Sequence, residues 1–286
     1  MKTKAQLGML IVTILWGASF AVGKMAMASI TPNFYTFFRF MGAFLVLAVI
    51  FHKQLFSASK KAIIAGGIIG IAVAIGYILQ TMGLNYTTAS KAGFLTGLYV
   101  VLVPVLESIL GRKFPRYNVL LGVALATVGL GVLSLERGFT IGTGDLMVFA
   151  GAVSFAISMV LISKYAKDND PIVLAIVQIG VTAFCSFLLA VTTEPMVSLS
   201  IFDARLVGLL IFTILFGTAV NTAVQNWAQS YLSATVAALI FVLEPVFGGV
   251  FGYLLLGDPM GLKQFLGSGL IVGGMLVTLL IKPKEK

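Results

Sequence analysis

Charged residues are scarce in this chain of 286 residues. Only 10% of them are Asp, Glu, Lys or Arg, ten are acidic, and the one histidine is His52. These shortages leave little chemistry for a soluble catalytic site. The single cysteine, Cys185, excludes a disulfide within the chain and a metal site built from several cysteines. The sequence also contains no phosphate-binding loop of the form G-x-x-x-x-G-K-[ST], so it offers no such site for ATP.

Hydrophobic residues dominate instead. They form 59% of the chain, and the mean hydropathy is +1.06. Apolar runs of about 20 residues, the length that crosses a bilayer as a helix, recur from end to end. The pattern predicts an all-α membrane protein with ten transmembrane helices. The predicted spans are residues 5–28, 33–51, 61–84, 88–110, 116–135, 143–164, 171–192, 204–228, 233–256 and 260–281.

The first span has one alternative, a cleaved signal peptide. Lys2 and Lys4 precede an apolar core, and residues 26–28 have the A-x-A form of a cleavage site. The apolar stretch is longer than the roughly 7 to 15 residues of a signal core, however, and Lys24 interrupts it before that site. These features favour a helix that stays in the membrane.

The basic residues predict the orientation. The net charge is +9, but Lys and Arg lie mostly at span ends rather than on one contiguous face, so no nucleic-acid partner is expected. Cytoplasmic loops carry the excess of Lys and Arg. With the N-terminus inside, three of these residues face outward, namely Arg137, Arg205 and Lys263, and thirteen face inward. We therefore expect a multi-pass protein of the cell (plasma) membrane with both termini in the cytoplasm. The inward-facing residues are Lys2, Lys4, Lys53, Lys60, Lys61, Arg112, Lys113, Arg116, Lys164, Lys167, Lys282, Lys284 and Lys286.

The two halves of the chain repeat one another. Six of the eight prolines pair at separations of 139 to 144 residues, and short polar motifs pair at 135 and 145. Because each half holds five spans, an odd number, the second half must enter the membrane from the opposite side. This predicts a 5+5 inverted repeat, with residues 1–138 as the first repeat and 139–286 as the second. The pairs are Pro32 with Pro171, Pro104 with Pro245, Pro115 with Pro259, Ser19 with Ser154 and Gln80 with Gln225.

An inverted repeat indicates how such a protein works. Two related bundles around an axis in the membrane plane allow one central site to face either side in turn, which favours a transporter. A channel could also be built in this way. A membrane-embedded enzyme acting on lipid is disfavoured, because His52 has no cluster of acidic or histidine residues around it.

Three segments resemble a known family. ILWGASFAVGK (14–24), TASKAGFLTGLYVVLVPVLE (88–107) and ATVAALIFVLEPVFGGVFGYLLLGD (234–258) are similar to the drug/metabolite transporter superfamily, in particular its ten-helix EamA-type permeases. The resemblance implies a central cavity between the halves, cytoplasmic termini and export of amino acids, other metabolites or drugs. Unlike the related four-helix multidrug exporters, the first helix carries no carboxylate at its centre.

Polar residues within the spans are the candidates for a substrate site. Because lipid offers polar groups no partners, such residues face a cavity or another helix. For the amides, a hydrogen bond that merely joins two helices is an equal alternative. The matched pair Gln80 and Gln225 predicts amides at the two mouths of a cavity. The candidate substrate-binding residues are Trp16, Ser19, Tyr77, Gln80, Tyr99, Asn221, Gln225 and Glu244.

Glu244 and the prolines raise a specific question. A carboxylate at bilayer depth costs roughly 2.5 to 3.5 kcal/mol on insertion scales, and proline removes a backbone hydrogen bond. We expect Pro104 and Pro245 to bend matching helices and to act as hinges or static kinks. Glu244 binds a proton or an amine, or else it caps the freed backbone or pairs with a base such as Lys24. Arg39 is expected to bond a neighbouring loop or to hold a substrate carboxylate.

The sequence thus predicts a secondary transporter, not an enzyme, that exports a small organic metabolite such as an amino acid. Proton coupling at Glu244 is one mechanism, and a proton-independent facilitator or a multidrug/organic-cation exporter is the alternative. Its expected partners are the substrate, the lipid bilayer and, if coupled, protons. No cofactor or metal is expected, and the chain is a monomer or homodimer. Lys91, Glu107 and Asp258 lie near span ends and are interpreted as snorkelling or interfacial.

Overall fold

The computed structural model describes residues 1–87, 89–111, 114–134, 141–257 and 260–281. In this part of the chain, ten helices are long and apolar enough to cross a membrane, as predicted. They are α1 (Lys2–Ala26), α2 (Pro32–Ile50), α3 (Lys60–Leu84), α4 (Ala89–Gly97 and Tyr99–Gly111), α5 (Tyr117–Ser134), α6 (Thr143–Tyr165), α7 (Pro171–Thr193), α8 (Ala204–Ile214, Leu215–Ala219 and Val220–Gln229), α9 (Ala234–Phe241 and Glu244–Leu256) and α10 (Leu262–Leu280). A short helix, His52–Phe56, follows α2.

Several predicted features lie outside the described residues. They are the boundary between residues 138 and 139, the basic residues Arg112, Lys113, Arg137, Lys282, Lys284 and Lys286, and Asp258 and Pro259.

The helices begin where the sequence provides caps. Pro32 and Pro171 occupy the first turns of α2 and α7, where their missing N–H groups cost nothing. Polar side chains accept hydrogen bonds from exposed N–H groups in the first turns of α3, α7, α8 and α9. They are Ser59 for Ala62, Asp170 for Ile172, Asp203 for Leu206 and Ser233 for Val236.

Three helices are irregular near their centres. α4 turns at Leu98, α8 contains a π-helical turn at Leu215–Ala219, and α9 is interrupted at residues 242 and 243. Pro245 lies in the first turn of the second segment of α9, whereas Pro104 lies inside the second segment of α4. The interruption of α9 therefore adjoins its proline, but that of α4 comes six residues earlier.

The main contacts between the two repeats obey a two-fold exchange. α3 packs on α6 and α7, and the equivalent α8 packs on α1 and α2. α4 contacts α6, and the equivalent α9 contacts α1. Three further contacts join a helix to its own counterpart in the other repeat: α2 with α7, α4 with α9, and α5 with α10. Exchanging each helix with its counterpart five places along leaves this set unchanged, as the 5+5 inverted repeat predicts. The inverted repeat is thus confirmed.

Glycines mark the crossing of α5 and α10. A Cβ atom on Gly122 would lie 2.5 Å from the carbonyl oxygen of Gly274, and one on Gly129 would lie 2.7 Å from that of Gly267. Gly122 and Gly129 are the sequence equivalents of Gly267 and Gly274. Each glycine thus contacts the equivalent of the other, which is the pairing that a two-fold axis through the crossing produces.

Acidic side chains tie helix ends together. The Glu107 carboxylate accepts hydrogen bonds of 2.9 Å from the backbone N–H groups of Ala234 and Thr235, at the start of α9. Lys91 forms an ion pair of 3.6 Å with Asp145, whose carboxylate also accepts a hydrogen bond from the Thr87 hydroxyl. Glu107 and Lys91 lie near the ends of their helix, as predicted, and each also has a partner from the second repeat.

Candidate functional site

The π-helical turn lies at the middle of α8. A π turn is rare and is found mostly as a single turn inside an α-helix, often at a functional site. The hydroxyl of Thr218 donates a 3.1 Å hydrogen bond to the carbonyl oxygen of Thr213, which the widened turn leaves available. A Cβ atom on Gly217 would lie 2.7 Å from the Ser19 hydroxyl oxygen, so α1 packs closely on this turn.

Two side chains from the first repeat bind this turn. The Trp16 indole N–H and the Arg39 Nη2 both donate to the carbonyl oxygen of Gly217, each over 2.8 Å. The Nε of Arg39 also donates to the Thr218 hydroxyl over 2.6 Å. Arg39 therefore contacts a helix at mid-membrane rather than the neighbouring loop that the sequence suggested, because the π turn brings acceptors there.

Glu244 begins the second segment of α9, next to its interruption. Its side chain is partly exposed, and it interacts electrostatically with Arg39, Tyr77 and Tyr99. No hydrogen bond or ion pair joins its carboxylate to any described residue, so it neither caps the backbone there nor pairs with Lys24. Neither a backbone cap nor a pair with Lys24 is therefore supported by a contact in the described chain, although the basic Arg39 acts on this acid electrostatically.

Aromatic rings surround these polar groups. Tyr77 makes edge contacts with Phe40 and Phe155, with both pairs of ring centroids 5.2 Å apart. The Trp16 ring lies 4.7 Å from that of Phe241, the last residue of the first segment of α9. We call Trp16, Arg39, Tyr77, Tyr99, Gly217, Thr218 and Glu244 the central cluster; its members come from α1, α2, α3, α4, α8 and α9.

The other candidates lie beside the central cluster or toward the two ends of the bundle. Ser19 is buried and donates to the Leu15 carbonyl of its own helix over 2.7 Å. Gln80 is partly exposed and donates to the Thr96 hydroxyl over 2.9 Å, which joins α3 to α4. Gln225 is buried and donates to Gln229 over 3.1 Å. Only the Gln80 bond joins two helices, as the alternative interpretation requires, because the Gln225 bond stays within α8.

A network of buried amides lies on the side of the cluster nearer the N-terminus. Gln229 donates to the Met159 carbonyl and the Ser163 hydroxyl, over 2.9 and 2.7 Å, and Asn226 donates to Gln178 over 3.3 Å. Asn221 differs from these residues. It is 0% exposed, and neither polar atom of its amide has a hydrogen-bond partner in the described chain.

Exposure changes at Glu244. From Ala234 to Leu243 every residue of α9 except Val236 is buried, whereas from Glu244 to Leu256 only Gly252 is buried. Trp16, Arg39, Tyr77 and Gln80 are likewise partly exposed, and Asn221, Gln225 and Gln229 are not. The bundle is therefore closed between the central cluster and the face that contains Met1, which we call the N-terminal face.

Two peripheral grooves do not reach the central cluster. One is lined by α1, α9 and α10 residues, among them Leu7, Leu10, Ile240 and Met275, and the other by α3 residues with Tyr165. Their largely apolar walls suit lipid chains more than a polar solute.

Sequence reasoning missed part of this cluster. Gly217 and Thr218 lie in an apolar run whose hydropathy gives no sign of a π turn. Arg39 did give a signal, since it is a charged residue at the middle of a span. Its equivalent at the repeat spacing of 139 is the neutral Gln178, so the two repeats differ at this position.

Comparisons with known proteins agree with the fold. The EamA-like transporter family matches the chain twice, over residues 3–135 and 142–280. A solved crystal structure with 17% sequence identity superposes with a TM-score of 0.82 over 98% of both chains, which concerns the fold alone.

Curated relatives carry transporter names. An uncharacterized transporter of Archaeoglobus fulgidus is 33% identical over 273 residues, covering 96% of this chain and 85% of its own. The uncharacterized transporter YyaM of Bacillus subtilis is 24% identical over 274 residues, covering 92% and 90%. With both repeats matched and the ten-helix architecture in place, the chain belongs to the EamA-like transporter family, within the drug/metabolite transporter superfamily.

Proposed function

We propose that this transporter exports a small organic metabolite such as an amino acid by alternating access, and that Glu244 couples export to proton entry. Its place is the cell membrane, with the N-terminal face toward the cytoplasm. The substrate lies in the central cluster, between the repeats. Trp16, Tyr77, Tyr99 and Glu244 contact it, and Asn221 and Gln225 meet it or water when the N-terminal face opens.

The observation that carries this proposal is the carboxylate of Glu244. It lies at mid-membrane, is partly exposed, and has no hydrogen bond or ion pair within the described chain. A carboxylate in this position is costly unless it is paired, protonated or hydrated, so such residues generally mark proton or substrate pathways. The groups that face it are the Arg39 cation and the hydroxyls of Tyr77 and Tyr99.

One carboxylate that serves two cations supplies the coupling. A proton on Glu244 removes the charge that attracts an ammonium group, so the proton and the substrate amine exclude one another. An inward proton gradient then favours the protonated state on the outside and releases the substrate there. Proton release toward the cytoplasm restores the carboxylate for the next substrate.

Asn221 supports the conformational change. A buried amide without partners costs about 1–3 kcal/mol, so its persistence calls for a compensating role. It lies two residues after the π turn, toward the closed N-terminal face. Opening of that face would hydrate the amide, and this relief helps to balance the free energies of the two conformations.

The test is transport in proteoliposomes. A thermal-shift screen against amino acids, amines, nucleosides and organic cations first identifies a ligand, because a compound that binds the native state raises its stability. Uptake of that ligand, radiolabelled, is then measured with the lumen acidic, so that protons leave as substrate enters. The wild type should accumulate it, and an ionophore that collapses the gradient should abolish accumulation.

The Glu244→Gln variant separates coupling from binding. It keeps the shape of the side chain, so we expect a folded protein that equilibrates a neutral analogue without response to pH. An unchanged pH profile in this variant would contradict coupling at Glu244 and indicate a proton-independent facilitator.

A multidrug/organic-cation exporter is the second candidate. The aromatic rings of Trp16, Tyr77 and Tyr99 near a carboxylate provide the surroundings in which organic cations bind. Arg39 opposes it, because a cation in the central cluster would meet a fixed positive charge. Stabilisation by quaternary ammonium compounds but by no amino acid would favour this candidate.

A further inference from the structure

The two repeats differ in charge at the central cluster. At the repeat spacing of 139 defined by Pro32 and Pro171, Arg39 corresponds to Gln178. At the spacing of 141 defined by Pro104 and Pro245, Glu244 corresponds to Val103. Each repeat therefore supplies one charge that its counterpart lacks, and the two charges have opposite signs.

Arg39 is held firmly but is not fully engaged. Its Nε and Nη2 are fixed to Thr218 and Gly217, and the Tyr35 hydroxyl lies beside the guanidinium, but no hydrogen bond of ordinary geometry joins its Nη1 to a described residue. A guanidinium held along one edge keeps the remaining donor in a defined direction, and paired N–H donors suit a carboxylate.

Arg39 and Glu244 interact electrostatically but do not touch. Their charged atoms are farther apart than the 4.0 Å that defines an ion pair, since no such pair joins these two described residues. Two opposite charges kept apart in a poorly solvated site are expensive. A ligand with both charges would complement each of them at once.

We propose that Arg39 and Glu244 form a zwitterion site, in which Arg39 binds the carboxylate of an α-amino acid and Glu244 its ammonium group. Trp16, Tyr77 and Tyr99 then bound the space for the amino-acid side chain. This inference rests on the proposed function, since it names the substrate class of the same central cluster. It assigns to Arg39 the role of a specificity-determining residue.

Matched ligands test the assignment. The twenty amino acids are screened by thermal shift against purified protein, and the strongest stabiliser is compared with the amine that lacks its carboxylate and the acid that lacks its amine. The wild type should bind the zwitterion about 10- to 100-fold more tightly than either analogue, because each loses one charge-assisted hydrogen bond.

The variants should show a crossed pattern. Arg39→Gln should weaken binding of the amino acid by about tenfold or more and leave the affinity for the amine unchanged. Glu244→Gln should weaken binding of the amino acid and leave the affinity for the acid unchanged. Arg39→Lys keeps the positive charge and guards against a failure of Arg39→Gln to fold. It should retain part of the preference for the zwitterion over the amine.

Equivalent residues outside the site provide controls. Gln178→Asn alters the counterpart of Arg39, and Glu107→Gln alters another acid within a span. Both should leave the ratio of zwitterion to analogue affinity at the wild-type value.

Two results would overturn the zwitterion site. One is that none of the twenty amino acids stabilises the wild type. The other is that both site variants weaken the binding of all three ligands by the same factor. Transport of another solute in the proteoliposome assay would still leave the proposed transporter function standing, so the two proposals fail separately.

Discussion

Trp16 and Arg39, on the first two helices of the first repeat, donate to one acceptor, the carbonyl oxygen of Gly217 in the second repeat. Both hydrogen bonds measure 2.8 Å. The acceptor belongs to the π turn of α8, so this irregular turn is stabilised from outside its own helix. The junction between the repeats and the irregularity of α8 therefore coincide.

This junction predicts the effect of Trp16→Phe. The substitution removes the indole N–H but leaves a ring that can pack on Phe241. Loss of one net hydrogen bond should lower stability by about 1 kcal/mol, which corresponds to a fall of about 2–4 °C in Tm.

Trp227→Phe is the matched control for Trp16→Phe. In the described chain the Trp227 indole N–H has no acceptor, and its ring contacts Tyr231. The Tm should therefore fall less in Trp227→Phe than in Trp16→Phe. An equal fall in both variants would show that ring volume, not the bond to Gly217, accounts for the loss.

The partnerless amide of Asn221 predicts a stabilising substitution. Asn221→Leu removes two unsatisfied buried polar atoms and keeps the branching of the side chain, so we expect Tm to rise by about 1–3 °C. Because the gain belongs to the conformation that is closed at the N-terminal face, the transport rate should fall.

Asn226→Leu provides the opposite case. Asn226 donates to Gln178 and to the Thr222 carbonyl, so its replacement should lower Tm. A fall in Tm for Asn221→Leu as well would mean that Asn221 has a partner and would weaken its role in opening the N-terminal face.

The α5–α10 crossing predicts a position-specific cost. A Cβ atom on Gly267 would lie 2.9 Å from both the Gly129 carbonyl oxygen and the Leu133 amide nitrogen. Because these are backbone atoms, Gly267→Ala must separate the helices and should cost about 1–3 kcal/mol, lowering Tm by several degrees.

Gly269→Ala tests the same helix two residues later. No atom lies within 4 Å of a Cβ at Gly269, so this variant should match or slightly exceed the wild-type Tm. Similar losses in both variants would contradict the close crossing.

Glu107 predicts how the N-terminal face is kept closed. Its carboxylate, from the first repeat, caps the start of α9 in the second. Glu107→Gln keeps only one acceptor, so the closed face should open more often. A cysteine at Gln225, in a Cys185→Ala background, should then react about 5- to 10-fold faster with a water-soluble thiol reagent, which corresponds to about 1–1.4 kcal/mol.

Glu194→Gln is the control at the other face. Glu194 accepts hydrogen bonds from Thr31, Asn33 and Phe34 at the start of α2. The Glu194→Gln substitution should lower Tm without increasing the labelling of the cysteine introduced at Gln225. Faster labelling in both variants would indicate general loosening rather than a latch at Glu107.

The sequence predicted the fold well because the membrane imposes a simple rule. Each span must satisfy its own backbone, so an apolar run of sufficient length is a helix, and the paired prolines show the repeat. The end residues of α3, α6 and α7 agree with the predicted spans to within one residue.

The central cluster was harder to predict, because it depends on departures from regular helix and from symmetry. Hydropathy does not distinguish a π turn from an α-helix, so the acceptors of Arg39 and Trp16 were not foreseen. A symmetric pair such as Gln80 and Gln225 cannot indicate which end is open, yet one is partly exposed and the other buried. Partners from the other repeat, such as Asp145 for Lys91, likewise require the folded arrangement.

The central claim is that one site between the repeats faces each side in turn. The most direct test is the reactivity of a cysteine at position 244, in a Cys185→Ala background, toward a membrane-impermeant thiol reagent applied to right-side-out and to inside-out vesicles. Alternating access predicts labelling of this cysteine from both sides of the membrane. Labelling from one side only, or from neither, would contradict the account.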